Sequence, residues 1–167
     1  MNRYSDRLLH YIHRLTNIPS ADAEDLLQEI FLKTYQNLND FDQELKFSSW
    51  IYRIAHNQII SNFRKNKNKA QALTQEDTEL FFERLASDFD LQEKIDQKLL
   101  KEKITGILQQ LDPKYREVII LKFLEEKDYT EISDILRKPM GTVATLLNRA
   151  KSKLKDLLIK HHITAAT

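Results

Sequence analysis

The segment "KPMGTVATLLNRAK" (residues 138–151) has the apolar spacing of a helix, yet one side of that helix is small and polar. With Val143 at 0° and about 100° per residue, Leu147, Ala150 and Leu154 fall within about 40° and predict a buried face. The far side and its flanks hold Thr142, Ala144, Thr145, Asn148, Arg149 and Ser152. Because 31% of the chain is charged, an ordinary solvent-exposed face would carry Lys and Glu, so this face needs another explanation.

The preceding segment predicts a partner helix. In "DYTEISDIL" (128–136), Asp128 and Glu131 have the spacing of a capping box. "RKPM" is a short turn, and the second helix is predicted to begin at Pro139 to Gly141 and to run to Leu158. Two short helices joined by a tight turn have the form of a helix-turn-helix. A plain helical hairpin is the alternative.

A helix face that enters the major groove must be slim and must offer donors, acceptors and methyl groups. Asn can bond to adenine, Arg can bond to guanine, and Thr or Ala can contact the thymine methyl group. Gly141 would permit a close backbone approach at the helix start. The basic residues around this face are predicted to contact phosphates: Lys138, Lys151, Lys153 and Lys155.

Composition excludes several classes of protein. The chain has 167 residues, two Gly, three Pro and no Cys, which favours long helices and excludes disulfides and thiolate metal sites. No apolar stretch is long enough to span a membrane, and the start lacks the features of a signal peptide, so we expect a cytoplasmic protein without membrane insertion.

Charge is distributed unevenly although the net charge is only +1. Residues 45–75 hold six basic and no acidic side chains, and residues 137–155 likewise hold six basic and none acidic. Between them, residues 76–102 hold nine acidic and four basic side chains. Two basic zones on either side of an acidic one predict two nucleic-acid contacts, with solvated helix faces as the alternative.

Helical periodicity predicts an all-α fold of two small domains joined by a linker. Helices are expected over 3–16, over 21–38 with Ser20 as N-cap, and from Ser48 or Ser49 to about residue 65. Periodicity is lost over 66–90, apart from a short helical turn in "ELFFERL" (79–85), and resumes at Leu91; Asp112 and Pro113 then begin another helix. The predicted divisions are a domain at 1–65, a linker at 66–90 and a helix-turn-helix domain at 91–160.

Two blocks of sequence resemble one family. "LDPKYREVIILKF…DYTEISDILRKPMGTVATLLNRAKSKLKDL" is similar to region 4 of the extracytoplasmic-function (group IV, sigma-70 superfamily) sigma factors of bacterial RNA polymerase. "ADAEDLLQEIFLKTYQNLNDF…KFSSWIYRIAHNQIISNFRK" is similar to their region 2. The blocks stand in the family's order, and residues 66–90 are too few for the extra domain of housekeeping sigma factors.

The resemblance implies a protein that binds core RNA polymerase, through the β′ clamp helices and the β flap, and directs initiation at promoter DNA. It implies polymerase-binding residues Asp22, Asp25, Gln28 and Glu29. It implies contacts to the minus-10 element by Phe41, Phe47, Trp50, Arg53, Asn57, Arg64 and Lys65, although Trp50 could equally be a core residue. The helix-turn-helix would read the minus-35 element, and an anti-sigma factor is a further implied partner.

The sequence departs from the family at three places. The family usually has another helix before the one at 3–16, so the first domain is expected to be smaller or its start truncated. Ala144 and Leu146 stand where basic residues are common, and Arg137 stands where a turn glycine is common.

Other functions find less support in the sequence. No grouping of residues suggests an enzyme, a metal site or a cofactor, and His10 with His13 lacks a further ligand. The main alternative is a stand-alone helix-turn-helix regulator that does not bind polymerase. A polymerase-binding protein without DNA function and an RNA-binding helical protein are further alternatives.

Overall fold

The protein is represented by a computed structural model, which describes residues 2–16, 18–65, 79–81, 83–85 and 97–163. These residues contain helices and loops but no strand, which confirms the all-α prediction. The helices are α1 (Asn2–Thr16), α2 (Ser20–Gln36), a 3₁₀ helix (Leu38–Asp40), α3 (Phe47–Lys65), α4 (Gln97–Gln110), α5 (Pro113–Phe123), α6 (Tyr129–Leu136) and α7 (Met140–Lys160).

The chain packs as two compact units, and each unit is built from two separate stretches of the sequence. Unit 1 comprises Met1–Gln71 with Lys127–Met140, and unit 2 comprises Ala72–Glu126 with Gly141–Thr167. Helix α6 therefore packs with the N-terminal helices, although the sequence prediction assigns it to the helix-turn-helix domain at 91–160. Those boundaries follow sequence regions, whereas the units follow packing.

Unit 1 is built on three mutually packed helices, α1, α2 and α3, with α6 packed along α3. The core contains Leu8, Tyr11, Ile30 and Tyr52, and the rings of Tyr11 and Tyr52 lie 5.1 Å apart. Each fully buried apolar side chain contributes about 1.5–3 kcal/mol relative to exposure. Burial of these side chains therefore determines which faces of α2 and α3 point into the core.

Two predicted N-caps are wrong. Helix α2 has Pro19 at its N-cap and Ser20 inside its first turn, because the Pro19 carbonyl already accepts a hydrogen bond from the Ala23 N–H at 3.0 Å. Helix α3 begins at Phe47, before Ser48 and Ser49, because the Lys46 carbonyl accepts from the Trp50 N–H at 3.1 Å. In both cases a backbone carbonyl begins the helix without help from a serine hydroxyl.

Unit 2 includes part of the predicted linker. Residues 79–81 and 83–85 are helical, which confirms the turn predicted in "ELFFERL" for its described residues. Phe81 and Leu85 are fully buried, and Phe81 packs edge-on against Phe123 with ring centroids 6.3 Å apart. The rest of the predicted linker, and the predicted helix start at Leu91, lie outside the described residues.

Two arginines close helix C-termini in unit 2. The buried Arg116 guanidinium donates to the carbonyl oxygens of Leu108, Gln109 and Leu111 at the end of α4, at 2.9–3.2 Å. Arg84 donates to the carbonyls of Phe123 and Leu124 at the end of α5. The last carbonyls of a helix have no partner within the helix and carry its negative dipole end, so a cation there is favourable. Burial lowers the pKa of Arg116, but arginine stays charged in proteins.

The capping box predicted for α6 is confirmed in both directions. The Asp128 side chain accepts from the Glu131 N–H at 2.8 Å, and the Glu131 side chain accepts from the Asp128 N–H at 3.1 Å. The hydrogen bond from the Glu131 backbone, with a smaller contribution from Lys46, lowers the pKa of Asp128 against a small opposing effect of burial.

Asp128→Ala is expected to lower the free energy of unfolding by about 1 kcal/mol, whereas Asp128→Asn, which still accepts, should lose less. Because the pKa of Asp128 is lowered in the folded state, this contribution is present above the ordinary Asp pKa of about 3.9 and is lost as the pH falls through the folded value. Urea unfolding at neutral and acidic pH measures both effects. A difference between wild type and Asp128→Ala that persists undiminished in acid would contradict this role.

Candidate nucleic-acid and polymerase interfaces

Helix α7 has the two faces that the sequence predicts. Val143, Leu147, Ala150 and Leu154 are buried. On the opposite side the predicted contact residues are exposed or half-buried: Thr142, Thr145, Asn148 and Arg149 are exposed, and Ala144 is half-buried. The side that would enter a groove is therefore accessible in unit 2.

The polar groups of this face are largely unused within the protein. The side chains of Asn148 and Arg149 make no hydrogen bond or ion pair to any residue that the structure describes. The Thr145 hydroxyl donates to the Gly141 carbonyl at 2.9 Å, which leaves its oxygen lone pairs and methyl group for other contacts. An amide and a guanidinium held on a rigid helix can reach base edges in a pattern that depends on sequence.

Gly141 lies in the first turn of α7 and is not required by packing within the protein. A Cβ atom at this position would meet no other atom within 4 Å. Gly141→Ala is therefore expected to raise the free energy of unfolding by about 0.4–1 kcal/mol. If the glycine serves the approach of a phosphate, the same variant should weaken duplex DNA binding by roughly three- to tenfold.

Gly106 provides a matched control for this prediction. It is exposed in α4, and a Cβ there would also meet no atom within 4 Å. Gly106→Ala should stabilise by a similar amount and leave duplex affinity unchanged. Thermal unfolding and fluorescence anisotropy of both variants test the pair, and equal DNA affinity of the two variants would show that Gly141 has no DNA-contacting role.

Basic residues lie in the turn before α7 and on α7 itself. Lys138 is exposed in the turn, where its backbone accepts from the Ser133 hydroxyl at 2.6 Å. Arg137 has a left-handed backbone (φ 51°), which explains why glycine is common at this position in the similar family. Lys153 is exposed with its ammonium 5.6 Å from the ring centroid of Tyr115, and Lys151 is half-buried.

Helix α2 presents a second accessible surface. The predicted polymerase-binding residues Asp22, Asp25, Gln28 and Glu29 are all exposed. Beside them runs an exposed apolar row of Leu32, Tyr35 and Leu38, with Leu32 57% and Tyr35 72% exposed. Leu38 lies beyond the end of α2 at Gln36, in the 3₁₀ helix, and is 49% exposed.

The aromatic residues of the 41–50 segment pack on one another. Phe41 lies 5.5 Å from Phe47 and 5.1 Å from Trp50, and Phe47 lies 5.6 Å from Trp50, between ring centroids. Trp50 is only 5% exposed, so of its two possible roles the structure supports the core residue. Phe41 and Phe47 are half-buried.

A cavity of about 360 Å³ opens beside this aromatic cluster. Its lining includes Asn37, Asp40, Trp50, Arg53 and Asn57. Burial, and then the nearby Arg137, lower the pKa of Arg53 against an opposing effect of Asp134. Amide, carboxylate and guanidinium groups around one concave space can bond the edges of a planar base.

Two further basic residues are predicted to follow the DNA path along α3. Arg64 and Lys65 lie in the last turn of α3, and their side chains are outside the described part of the structure.

Among described residues no group of three or more His, Cys, Asp or Glu could hold a metal ion. None of the helices in the described ranges is long and apolar enough to cross a membrane.

Comparison with known proteins decides between the alternatives left open by the sequence. Residues 1–69 match the family model of sigma-70 region 2, and residues 101–154 match that of sigma-70 region 4. The ECF RNA polymerase sigma factor SigW of Bacillus subtilis (strain 168) is 34% identical over an alignment of 169 residues, which covers 93% of this chain and 84% of SigW. The chain belongs to the ECF RNA polymerase sigma factors.

Further similarities agree with this family. The ECF sigma factor SigM of Bacillus subtilis (strain 168) is 32% identical over 135 residues, covering 81% of this chain and 78% of SigM. The fold is also similar to that of the sigma factor RpoE of Bartonella quintana in complex with the anti-sigma factor NepR (TM-score 0.68, 21% identity, 95% of this chain and 93% of that one). CnrH in complex with the cytosolic domain of CnrY is similar as well (TM-score 0.66, 24% identity, 95% and 84% coverage).

An ECF sigma factor binds core RNA polymerase and promoter DNA and directs promoter recognition and transcription initiation. The stand-alone regulator is not favoured, because region 2 is matched over residues 1–69 as well as region 4 over 101–154. Both helices of the predicted helix-turn-helix, α6 and most of α7, lie in the region 4 match.

Proposed function

We propose that this sigma factor divides its work among three surfaces. Helix α2 binds core polymerase, the 41–47 loop with the start of α3 captures the minus-10 strand, and α7 reads the minus-35 duplex. The corresponding divisions are 1–65, a linker at 66–90 and 91–160. The observation that carries the proposal is the coexistence of an exposed acidic and apolar face on α2 with an exposed, slim polar face on α7.

At the minus-35 element, α7 enters the major groove with its polar face. Arg149 bonds guanine, Asn148 bonds adenine, and Thr142, Ala144 and Thr145 contact bases or thymine methyl groups. Lys138, Lys151 and Lys153 bind phosphates and fix the register. The phosphate contacts supply affinity that falls with salt, and the base contacts supply selectivity.

At the minus-10 element, the cavity beside Trp50 accepts a base that has left the duplex stack. Extruding a base costs a few kcal/mol, and stacking on an aromatic side chain returns about 1–3 kcal/mol. Trp50 lines this cavity, and the half-buried Phe41 and Phe47 pack against Trp50. Arg53 and Asn57 bond the base or its phosphate, and Arg64 and Lys65 continue the basic path along α3.

The polymerase contact combines charge with apolar area on α2. Asp22, Asp25, Gln28 and Glu29 face the β′ clamp helices, and the exposed Leu32 and Tyr35 add apolar contact beside them. Glu29 is oriented by the Gln58 amide, which donates to it at 3.3 Å and itself accepts from Lys33 at 2.6 Å. Region 4 makes the second contact, to the β flap.

The protein acts through binding alone, without catalysis, a metal or a cofactor, and it works in the cytoplasm, where RNA polymerase transcribes. An anti-sigma factor is a further proposed partner. The support is that RpoE, which has a similar fold, was solved in complex with the anti-sigma factor NepR.

Reversing charge on α2 tests the proposed polymerase surface. Asp25→Arg combined with Gln28→Ala should weaken binding to core polymerase by about tenfold or more, because contacts to a charged group contribute about 1.5–3 kcal/mol each. Asp6→Arg is the matched control, since Asp6 is also exposed in unit 1 but lies on α1. Binding to immobilised core enzyme is the measurement, and unchanged affinity of the α2 variant would refute this surface.

A further inference from the structure

Helix α1 carries a group of basic residues that the proposed function leaves unassigned. With about 100° per residue, Arg3, Arg7 and His10 fall within about 60° of one another around the helix. All three are exposed. The side chains of Arg3 and Arg7 make no hydrogen bond or ion pair to any residue that the structure describes. This basic flank of α1 (Arg3, Arg7 and His10) therefore presents two guanidinium groups and an imidazole to solvent.

The positions of the two arginines are unfavourable for the helix itself. Like charges four residues apart repel each other on a helix surface, and Arg3 and Arg7 have that spacing. Helix α1 begins at Asn2 and has no acidic residue in its first turn, so Arg3 also stands where the positive end of the helix dipole disfavours a cation. Gln or Glu at either position would solvate this face equally well. The repulsion between the two cations therefore indicates a ligand of negative charge.

The basic flank adjoins the aromatic residues of the proposed strand surface. Tyr4 on α1 lies 5.6 Å from Phe47 between ring centroids, and Phe47 in turn packs on Phe41 and Trp50. Arg7 follows Tyr4 by three residues and lies about 60° from it around the helix. The aromatic cluster thus continues onto α1, and the basic flank begins beside it.

Neighbouring rings and cations are suited to a single strand of DNA. Proteins that bind single strands stack bases on aromatic side chains and bind the backbone through positive charge. Arginine can donate to two oxygens of one phosphate at once. An acidic protein surface would match the charge of the basic flank, but it would not explain why the flank lies next to the aromatic cluster. Single-stranded DNA accounts for both features.

We propose that Arg3, Tyr4 and Arg7 form a further binding site for the promoter single strand, which takes the nucleotides next to those captured at the aromatic cluster. Side chains four residues apart on a helix are neighbours, about 5–6 Å apart at Cβ, so the two arginines bind neighbouring phosphates. The half-buried Tyr4 ring contacts the sugar or base between them. This inference rests on the proposed capture of the minus-10 strand by the 41–47 loop and the start of α3.

Strands of two lengths test this site with the holoenzyme reconstituted from the full chain and core polymerase. The shorter strand is the minus-10 element that the wild-type holoenzyme selects from a random single-stranded pool, and the longer strand adds three nucleotides at each end. Fluorescence anisotropy of labelled strands gives both affinities. Arg3→Gln with Arg7→Gln should bind the longer strand about tenfold more weakly than wild type and lower the salt slope by about 1.4. Its affinity for the shorter strand should match that of wild type.

A matched variant and a stability measurement exclude less specific causes. Lys103→Gln with Lys160→Gln removes the same charge from exposed positions of unit 2 and should leave both strand affinities unchanged. The urea midpoint of the Arg3→Gln, Arg7→Gln variant should equal or exceed that of wild type, because the repulsion between the two cations is gone. A purely structural role of the arginines would lower that midpoint instead.

An added positive charge tests the same site from the opposite direction. Asp6 is exposed and lies about 40° beyond His10, at the edge of the basic flank. Asp6→Arg should therefore strengthen binding of the longer strand by roughly threefold and leave the shorter strand unaffected. This gain cannot result from a variant that folds poorly.

The outcomes separate this inference from the proposed function. If wild type and the Arg3→Gln, Arg7→Gln variant bind the longer strand equally, the site on α1 is refuted, while binding of the shorter strand leaves the capture at the aromatic cluster intact. Weaker binding of that variant to core polymerase without DNA would show that the basic flank binds an acidic protein surface, which also refutes the site. If the wild-type holoenzyme selects no strand beyond what core enzyme alone binds, strand capture is refuted together with the site on α1.

Discussion

Replacement of both Asn148 and Arg149 by alanine is expected to weaken binding to the preferred minus-35 duplex by about 100-fold or more, because each base-edge contact contributes about 1–3 kcal/mol and about 1.4 kcal/mol is tenfold. Both side chains are exposed on α7 and make no hydrogen bond or ion pair to other described residues. Their removal should therefore cost the protein little stability. Affinity for core polymerase should remain, since its proposed contacts lie elsewhere.

Two variants distinguish a loss of sequence selectivity from a loss of affinity alone. Duplexes selected from a random pool by the wild-type holoenzyme are titrated with the double variant and with Lys153→Ala. The lysine variant should weaken all duplexes alike and reduce the salt slope by about one, whereas the double variant should flatten the preference among duplexes. Selection of the same sequences by the double variant and by wild type would overturn the assignment of α7 as the reading helix.

Arg116→Met is expected to cause the largest loss of stability, about 3 kcal/mol or more, because it removes the buried hydrogen bonds to the carbonyl oxygens of Leu108, Gln109 and Leu111, of which Leu108 alone keeps a backbone donor, the Leu111 N–H at 3.2 Å. For a chain of this size such a loss corresponds to a fall in Tm of roughly 10 °C. Arg116→Lys should recover only part of the loss, since an ammonium cannot reproduce the planar array of donors.

Arg149→Met is the matched control, because Arg149 is an exposed arginine in the same unit. Urea and thermal unfolding followed by circular dichroism compare the variants. A change below about 1 kcal/mol for Arg116→Met would mean that the carbonyls of Gln109 and Leu111 find other donors, and the arginine would then have no capping role.

Local patterns in the sequence were sufficient to predict the helices and to assign the two faces of α7. The spacing of Val143, Leu147, Ala150 and Leu154 defines its buried side, and the opposite side follows from it. The capping box of Asp128 and Glu131 was predictable because both partners lie within one helical turn. The left-handed backbone of Arg137 was not predicted, because the sequence showed only that an arginine stands where a turn glycine is common in the family.

Features that depend on distant residues could not be predicted in this way. Arg116 contacts carbonyls five to eight residues earlier across a helix junction, and Arg84 contacts α5 from within the predicted linker. Nothing in local composition distinguishes these arginines from surface ones. The caps predicted at Ser20 and at Ser48 or Ser49 were wrong because backbone carbonyls one to three positions earlier already began the helices.

In the candidate sites, too, local patterns predicted some features, whereas others depend on contacts between distant residues. Exposed residues of α2 and α7 were found from helical periodicity, whereas the cavity beside Trp50 requires α2, the 3₁₀ helix, α3 and Arg137 to meet. The burial of Trp50 likewise depends on the packing of Phe41 and Phe47 against it. The contact of α6 with α3 joins residues about 80 positions apart, a distance that no sequence periodicity reports.

The most direct test of the central claim is reconstitution of the purified chain with core RNA polymerase that lacks any sigma factor, followed by mapping of transcription starts across a genomic library. The account predicts discrete start sites, absent with core enzyme alone, that share two sequence elements at a constant spacing upstream. Transcription that begins at the same positions with and without the protein would contradict it.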